Sequence, residues 1–139
     1  MRYMLDTDTC IYLMTGREPQ KQQKILAKLE ALDSGEPVTL SSIVVSELSY
    51  GAQKGRWKKA NMLLLGQFLL DFEIAVFDEH AAHTCGLIRT ALEKKGKPIG
   101  PMDTLIAAHA VSLKMTLVTH NVREFNRVSG LNMENWAGA

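Results

Sequence analysis

The feature that most constrains this chain is the regular alternation of short apolar runs with longer amphipathic segments. Four of these runs are three or four residues long and carry no charge, which is typical of buried parallel strands. The segments between them place apolar residues at helical spacing. The alternation predicts an α/β fold, a three-layer α/β/α sandwich in which helices cover both faces of a short, mainly parallel central sheet.

The boundaries of the elements follow from the same pattern. The predicted strands cover residues 3–5, 38–40, 74–77 and 116–118, with a fifth at 131–134, and a turn covers residues 34–37. The predicted helices cover residues 10–14, 21–32, 43–52, 61–70 and 102–114. A further long helix, before the last of these, is capped by Asp78 and ends at Lys94. Asp8 or Thr9 would cap the first helix, and Ser41 or Ser42 the third. No linker or repeat divides the chain, so we expect one domain over residues 1–139.

The overall charge of the chain is too small to attract nucleic acid through a positive field over the whole protein. Sixteen Lys and Arg residues against fifteen Asp and Glu residues leave a net charge of +1. Any binding to nucleic acid must therefore come from local patches or from a metal ion. One such patch is the basic run from Lys54 to Lys59 around Trp57. It is either a solvated turn or a phosphate-contact surface with an aromatic ring for stacking.

The N-terminal residues and the two cysteines indicate the cellular compartment in which the protein is expected. The opening residues meet Asp6 before a signal-peptide core can form, and no run approaches the roughly 18 apolar residues that a membrane span needs. Cys10 and Cys85 lie far apart in apolar helical contexts, which predicts buried free thiols. We therefore expect a soluble cytoplasmic protein without disulfides.

Three acidic residues stand in apolar surroundings, where charges are costly. Asp6 ends the first strand, Glu47 lies among apolar residues of the third helix, and Asp103 opens the apolar helix over residues 102–114. Singly, each has a structural explanation, such as the helix dipole for Asp103. Ligand sites in parallel sheets lie beyond the carboxyl ends of the strands, where Asp6 and Asn121 are both expected. Together these residues indicate one shared site.

A carboxylate cluster without a cysteine or histidine ligand set suits a hard, oxygen-seeking cation. Mg²⁺ or Mn²⁺ is therefore expected rather than Zn²⁺. Centres of this kind support phosphoryl chemistry. Among the histidines, His109 is expected to be packed or partly exposed, and His120 lies beside Asn121, where it could touch a substrate.

Four stretches together resemble the VapC-type toxins of the PIN-domain family, in order and across residues 3–136: MLDTDTCIYLM, SSIVVSELSYGAQK, PIGPMDTLIAAHA and LVTHNVREFNRVSGLNMENW. The resemblance implies a PIN-like sandwich and a Mg²⁺-dependent endoribonuclease that hydrolyses phosphodiester bonds of RNA, often transfer RNA. It also implies a type II toxin–antitoxin system, in which a cognate antitoxin blocks the site. A homodimer and a higher assembly with the antitoxin are expected, since the segment over residues 61–70 is apolar nearly all round and needs covering. The alternative is that this segment is completely buried within the domain.

The same resemblance assigns roles to four residues. The three acids of the family fall on Asp6, Glu47 and Asp103. Asp6 and Asp103 would be the principal metal ligands, and Glu47 would complete the pocket directly or through water. The fourth catalytic position, an Asp in many members, falls on Asn121. With about three negative charges instead of four, one strong Mg²⁺ site is expected, which Mn²⁺ could also fill.

Two other functions remain open at this point. A different carboxylate–metal phosphoryl-transfer domain, receiver-like or phosphatase-like, also places acids at strand ends. A receiver would have adjacent acids after its first strand, whereas Thr7 separates Asp6 from Asp8. The second alternative is a non-catalytic interaction module with a vestigial site, and Asn121 is the feature that favours it.

Overall fold

The expected alternation is present in the computed structural model, which describes residues 2–32 and 35–138. Within these residues one parallel sheet has the strand order β3-β2-β1-β4-β5. In the centre of this sheet, Met4 lies opposite Thr39 on one side and Leu117 on the other. The strands are β1 (Tyr3–Leu5), β2 (Thr39–Ser41), β3 (Glu73–Ala75), β4 (Thr116–Val118) and β5 (Met133–Glu134). The predicted α/β class with a short parallel sheet is confirmed.

Helices occupy the connections between the strands and flank the sheet. Their packing buries the central strands, so that Met4, Leu5, Leu40, Leu117 and Val118 have no exposed surface. The helices are α1 (Thr7–Thr15), α2 (Pro19–Glu30), α3 (Ser42–Lys54), α4 (Lys58–Leu69), α5 (Glu79–Lys94), α6 (Pro101–Leu113) and α7 (Val122–Phe125).

The first helix starts earlier than predicted, and its cap is a different residue. Asp6, not Asp8 or Thr9, is the N-cap of α1, because its Oδ1 accepts the backbone N–H of Thr9 at 2.9 Å. The predicted caps of two later helices are confirmed. Ser41 Oγ accepts the N–H of Ile43 at the start of α3, and Asp78 Oδ1 accepts that of Ala81 in α5.

Further elements also differ from the prediction. Strand β3 ends at Ala75, because the backbone N–H of Phe77 turns to Ser42 Oγ at 3.0 Å instead of continuing the strand. The short helix α7 was not predicted. The turn predicted over residues 34–37 begins at Ser34, which lies outside the described residues. The one-domain prediction for residues 1–139 stays a prediction.

The predicted apolar helix around α4 is only partly covered. Leu65 is 3% exposed, whereas Leu63, Leu64 and Leu70 are 68%, 57% and 83% exposed. Complete burial of this segment within the chain is therefore excluded. Cys10 is buried as predicted, but Cys85 is only partly buried, and both are free thiols. Among the described residues, no helix is both long and apolar enough to cross a membrane.

Candidate active site

Asp6 lies at the carboxyl end of the central strand and is only 4% exposed. Its backbone N–H donates to the carbonyl of Val118 at 3.0 Å, which continues the pairing of β1 with β4. Its carboxylate accepts hydrogen bonds from Thr119 and Thr9. Burial raises the pKa of Asp6 above its ordinary value, and these hydrogen bonds partly offset the rise.

Glu47 reaches the same edge of the sheet from α3. The hydroxyl of Thr7 donates to Glu47 Oε1 at 2.5 Å. Since Thr7 directly follows Asp6, this bond ties the acid on α3 to the residue beside the acid on β1. The side chain of Glu47 is partly buried. The predicted juxtaposition of Asp6 and Glu47 is therefore present.

Asp103 lies in the first turn of α6 and faces a further acid, Glu124 of α7. A β-carbon on Gly100 would lie 3.9 Å from an oxygen of each carboxylate, so both flank this glycine. The backbone N–H of Gly100 donates to Glu124 Oε1 at 3.1 Å, and Asn121 Nδ2 donates to Oε2 at 2.7 Å. These bonds stabilise the ionised form of Glu124.

The hydrogen bond between Asp103 and Glu124 needs a proton on one of the two carboxyl groups. The pKa of Glu124 is lowered, first by the bond from Gly100 and then by those from Asn121 and Asp103. The pKa of Asp103 rises to about 7, mainly through burial, with repulsion from Glu124, Asp6, Glu47 and Asp8 adding to it. Of the two carboxyls, Asp103 therefore has the higher pKa and is the one protonated first as the pH falls.

The sequence analysis did not predict Glu124, which adds a carboxylate to the expected set. The site holds four carboxylates, Asp6, Glu47, Asp103 and Glu124, instead of the three expected. Asn121 belongs to the same group of residues although it carries no charge, because its amide donates a hydrogen bond to the carboxylate of Glu124. One signal was available in the sequence, since Glu124 follows Asn121 by three residues and would share a helical turn with it.

The donor set fits a hard divalent cation. It consists of carboxylate oxygens, and their mutual repulsion would be relieved by positive charge. Among residues 2–32 and 35–138, no three Asp, Glu, His or Cys side chains are already positioned to hold one ion. A hard cation that takes one or two carboxylates and completes its shell with water and phosphate oxygens would suit such a pocket.

His109 and His120 have separate surroundings. His109 is 1% exposed, and its Nδ1 lies 2.7 Å from Ser41 Oγ. Its ring also bonds the carbonyl of Val76, so the hydroxyl of Ser41 donates to Nδ1. This bond connects α6, which carries Asp103, to the start of α3. The described contacts of His120 run to Asn135 and Tyr12, not to the acids.

Comparison with known proteins identifies the family of the chain. The PIN domain family matches residues 3–131. The chain is 41% identical to ribonuclease VapC2 of Rickettsia felis over 98% of both chains, and 34% identical to the tRNA(fMet)-specific endonuclease VapC of Shigella flexneri over 99% of both. The crystal structure of VapBC2 from R. felis bound to a DNA fragment from its promoter superposes with a TM-score of 0.90 at 40% identity, covering 98% of this chain and 99% of that one. The structure of VapBC-1 from nontypeable Haemophilus influenzae has a TM-score of 0.90 at 32% identity, covering 99% and 100%. The chain belongs to the PIN-domain family and within it to the VapC type.

Proposed function

We propose that this chain is an endoribonuclease that uses Mg²⁺, with Mn²⁺ as a substitute, and that it is the toxin of a type II toxin–antitoxin pair. The observation that carries the proposal is the meeting of four carboxylates from β1, α3, α6 and α7 at one edge of the sheet. PIN-domain ribonucleases generally depend on a divalent metal ion, and the relatives carry the names ribonuclease and tRNA-specific endonuclease. RNA, including transfer RNA, is the substrate class that follows.

In this proposal Asp6 and Asp103 are the principal ligands, and Glu47 and Glu124 complete the pocket directly or through water. Bound Mg²⁺ would supply positive charge against the phosphodiester and activate water for hydrolysis. The neighbouring residues position the acids. Thr9 and Thr119 orient Asp6, and Thr7 holds Glu47 in place.

Asn121 would act in the same site as a positioning residue. Its amide and the N–H of Gly100 hold Glu124 ionised, so that the proton of the pair lies on Asp103. Because the pKa of Asp103 is about 7, this carboxyl loses its proton near neutral pH, where a cation can take its place.

The uncovered apolar residues of α4 support the proposed protein partners. Leu63, Leu64 and Leu70 expose more than half of their surface each, which favours a contact with another chain. We propose that a homodimer and an antitoxin complex cover such surfaces. The VapBC structures from R. felis and H. influenzae are toxin–antitoxin complexes. An RNA-cutting toxin of this type would act in the cytoplasm.

Incubation of the purified chain with total RNA tests the function. We expect cleavage with Mg²⁺ or Mn²⁺ and none with EDTA. Glu47→Gln should be severely impaired, whereas Glu93→Gln, on the exposed surface of α5, should cut like the parent. A receiver-like domain would take up phosphate on the protein without cutting RNA. A vestigial module would show neither cleavage nor saturable metal binding, and either result would refute the proposal.

A further inference from the structure

The chain between Glu47 and Asp71 contains no acidic residue. Over these 23 residues it carries four cations, Lys54, Arg56, Lys58 and Lys59. The cations fall at the end of α3, in the connecting loop and at the start of α4. We call the group of Tyr50, Lys54, Arg56, Trp57 and Lys58 the α3–α4 corner.

Two aromatic rings of the corner are open to solvent and lie beside cations. Trp57 is 67% exposed and Tyr50 is 66% exposed. The guanidinium of Arg56 lies 5.2 Å from the centre of the Trp57 ring, and Lys54 Nζ lies 4.8 Å from that of Tyr50. Within residues 2–32 and 35–138, no ion pair involves the cations of the corner. The charges and rings are therefore available to a ligand.

The corner is connected to the carboxylate cluster by a single helix. Glu47, Tyr50 and Lys54 follow each other at spacings of three and four residues, so they lie along one stripe of α3. With a rise of 1.5 Å per residue, Lys54 lies about 10 Å along the helix from Glu47. This separation is about three nucleotides of a stacked strand at 3.4 Å each. The stripe leads from the acids to the basic end of the helix.

We propose that the α3–α4 corner is an RNA-binding subsite for unpaired nucleotides about three positions from the phosphate that is cut. Bases stack on Trp57 and Tyr50, and Lys54, Arg56 and Lys58 contact phosphates. The subsite rests on the proposed ribonuclease function. The cleavage site itself is acidic and repels phosphate, so attraction for RNA has to come from a neighbouring surface. Exposed rings among unpaired cations favour nucleic acid over an acidic protein, which has no bases to stack.

Fluorescence anisotropy in EDTA tests the subsite without cleavage. The probe is a fluorescein-labelled single-stranded RNA of about 12 nucleotides, titrated at several salt concentrations. Trp57→Ala should weaken binding by about 5- to 150-fold, the range of one lost stacking contact, and Trp57→Phe should restore most of it. The triple variant K54Q/R56Q/K58Q should reduce the slope of log K against log salt by about 2, because each lost phosphate contact removes about 0.7.

Matched controls come from α5. The double variant K94Q/K95Q removes exposed cations there, and Leu87→Ala removes an apolar side chain that is 75% exposed. Both should bind the probe like the parent. All variants should keep the parent's thermal unfolding temperature, since every altered side chain is exposed. With Mg²⁺ and a cleavable RNA, Trp57→Ala should raise KM and leave kcat within about twofold, because the corner binds RNA away from the reacting atoms.

The outcomes separate the subsite from the function. A parent that cuts RNA, with corner variants that bind and cut like it, would overturn the subsite and leave the function intact. Binding that depends on the corner in EDTA, without any cleavage by the parent in Mg²⁺ or Mn²⁺, would overturn the function and leave the corner as an RNA-binding surface. Loss of the dimer in Trp57→Ala with unchanged RNA affinity would make the corner a protein interface and refute the proposal.

Discussion

Replacing Asp103 with Asn should stabilise the chain in the absence of metal while abolishing RNA cleavage. The reason is the raised pKa of this carboxyl, about 7 against an ordinary 3.8, caused first by burial and then by the neighbouring acids. Between these two values the folded chain binds a proton that the unfolded chain has released. The free energy of unfolding therefore falls as the pH rises through this window, and the loss is complete above pH 7.

The size of the effect follows from the pKa. A change from 3.8 to about 7 corresponds to about 4 kcal/mol at face value. Asp103 is partly exposed, so screening by water reduces this to about 2 kcal/mol. As a carboxylate in the first turn of α6, it also gains about 0.5 kcal/mol from the helix dipole, which Asn would lose. We therefore expect Asp103→Asn to raise the free energy of unfolding by about 1.5 kcal/mol at pH 8.

Urea unfolding in EDTA near pH 5 and near pH 8 measures this difference. Near pH 5 only about a third of the window between 3.8 and about 7 has been crossed, so the two chains should differ much less than near pH 8. Excess Mg²⁺ near pH 8 should stabilise the parent more than the variant, because an ion that binds only the folded state stabilises it. Asp71→Asn, at an exposed position, is the control and should change stability by less than about 0.5 kcal/mol at either pH. A variant less stable than the parent near pH 8, or a difference independent of pH, would refute the reasoning.

Three further substitutions test other parts of the structure. Asp6→Asn should abolish cleavage in a gel assay and leave the fold intact, because Asn caps Thr9 as well as Asp does; cutting at the parent's rate would contradict its role as a ligand. Asn121→Asp replaces the amide that donates to Glu124 by a carboxylate, so it should cost about 1–3 kcal/mol of stability in EDTA and tighten Mg²⁺ binding in calorimetry. Equal metal affinity of both forms would place residue 121 outside the coordination sphere. The pKa of His109 is lowered, mainly by burial. Below about pH 6.5 the unfolded chain therefore binds a proton at this residue that the folded chain does not bind, and the free energy of unfolding falls as the pH drops. His109→Leu should remove this part of the pH dependence, measured by urea unfolding at pH 5.5 and 8. The substitution should also cost about 1–3 kcal/mol of stability near pH 8, because the Ser41 hydroxyl loses its partner. An unchanged pH dependence would show that His109 does not cause it.

The three central strands β1, β2 and β4 were predictable because they are largely buried and lack charge. This signal is local and placed β1, β2 and β4 within one residue of their observed bounds. The cap of α1 was not predictable in the same way. The sequence DTDT offers four successive residues that can cap a helix, and propensity does not choose among them. The choice follows from pairing between strands, because the bond from Asp6 N to Val118 O keeps Asp6 extended and lets the helix begin at Thr7.

Glu124 was hidden for a related reason. It lies in a helix of four residues, too short to show periodic spacing, next to Arg123, and reads as a surface charge. Its role depends on the loop before α6, which brings the N–H of Gly100 to its carboxylate from 24 residues away in the chain. Sequence pattern reports which face of an element is buried, but it does not report which two loops meet.

The position of Asn121 is explained by the charge of the complete site. Four carboxylates already share this edge of the sheet, and burial together with repulsion from its acidic neighbours raises the pKa of Asp103 to about 7. A fifth carboxylate at residue 121 would add repulsion, whereas an amide donates a hydrogen bond and keeps Glu124 charged. The Asn121 amide therefore stabilises the carboxylate of Glu124, and its presence does not indicate that the site has lost an acidic residue. The vestigial interpretation depended on a missing charge, and the structure places that charge on Glu124, three residues along the chain.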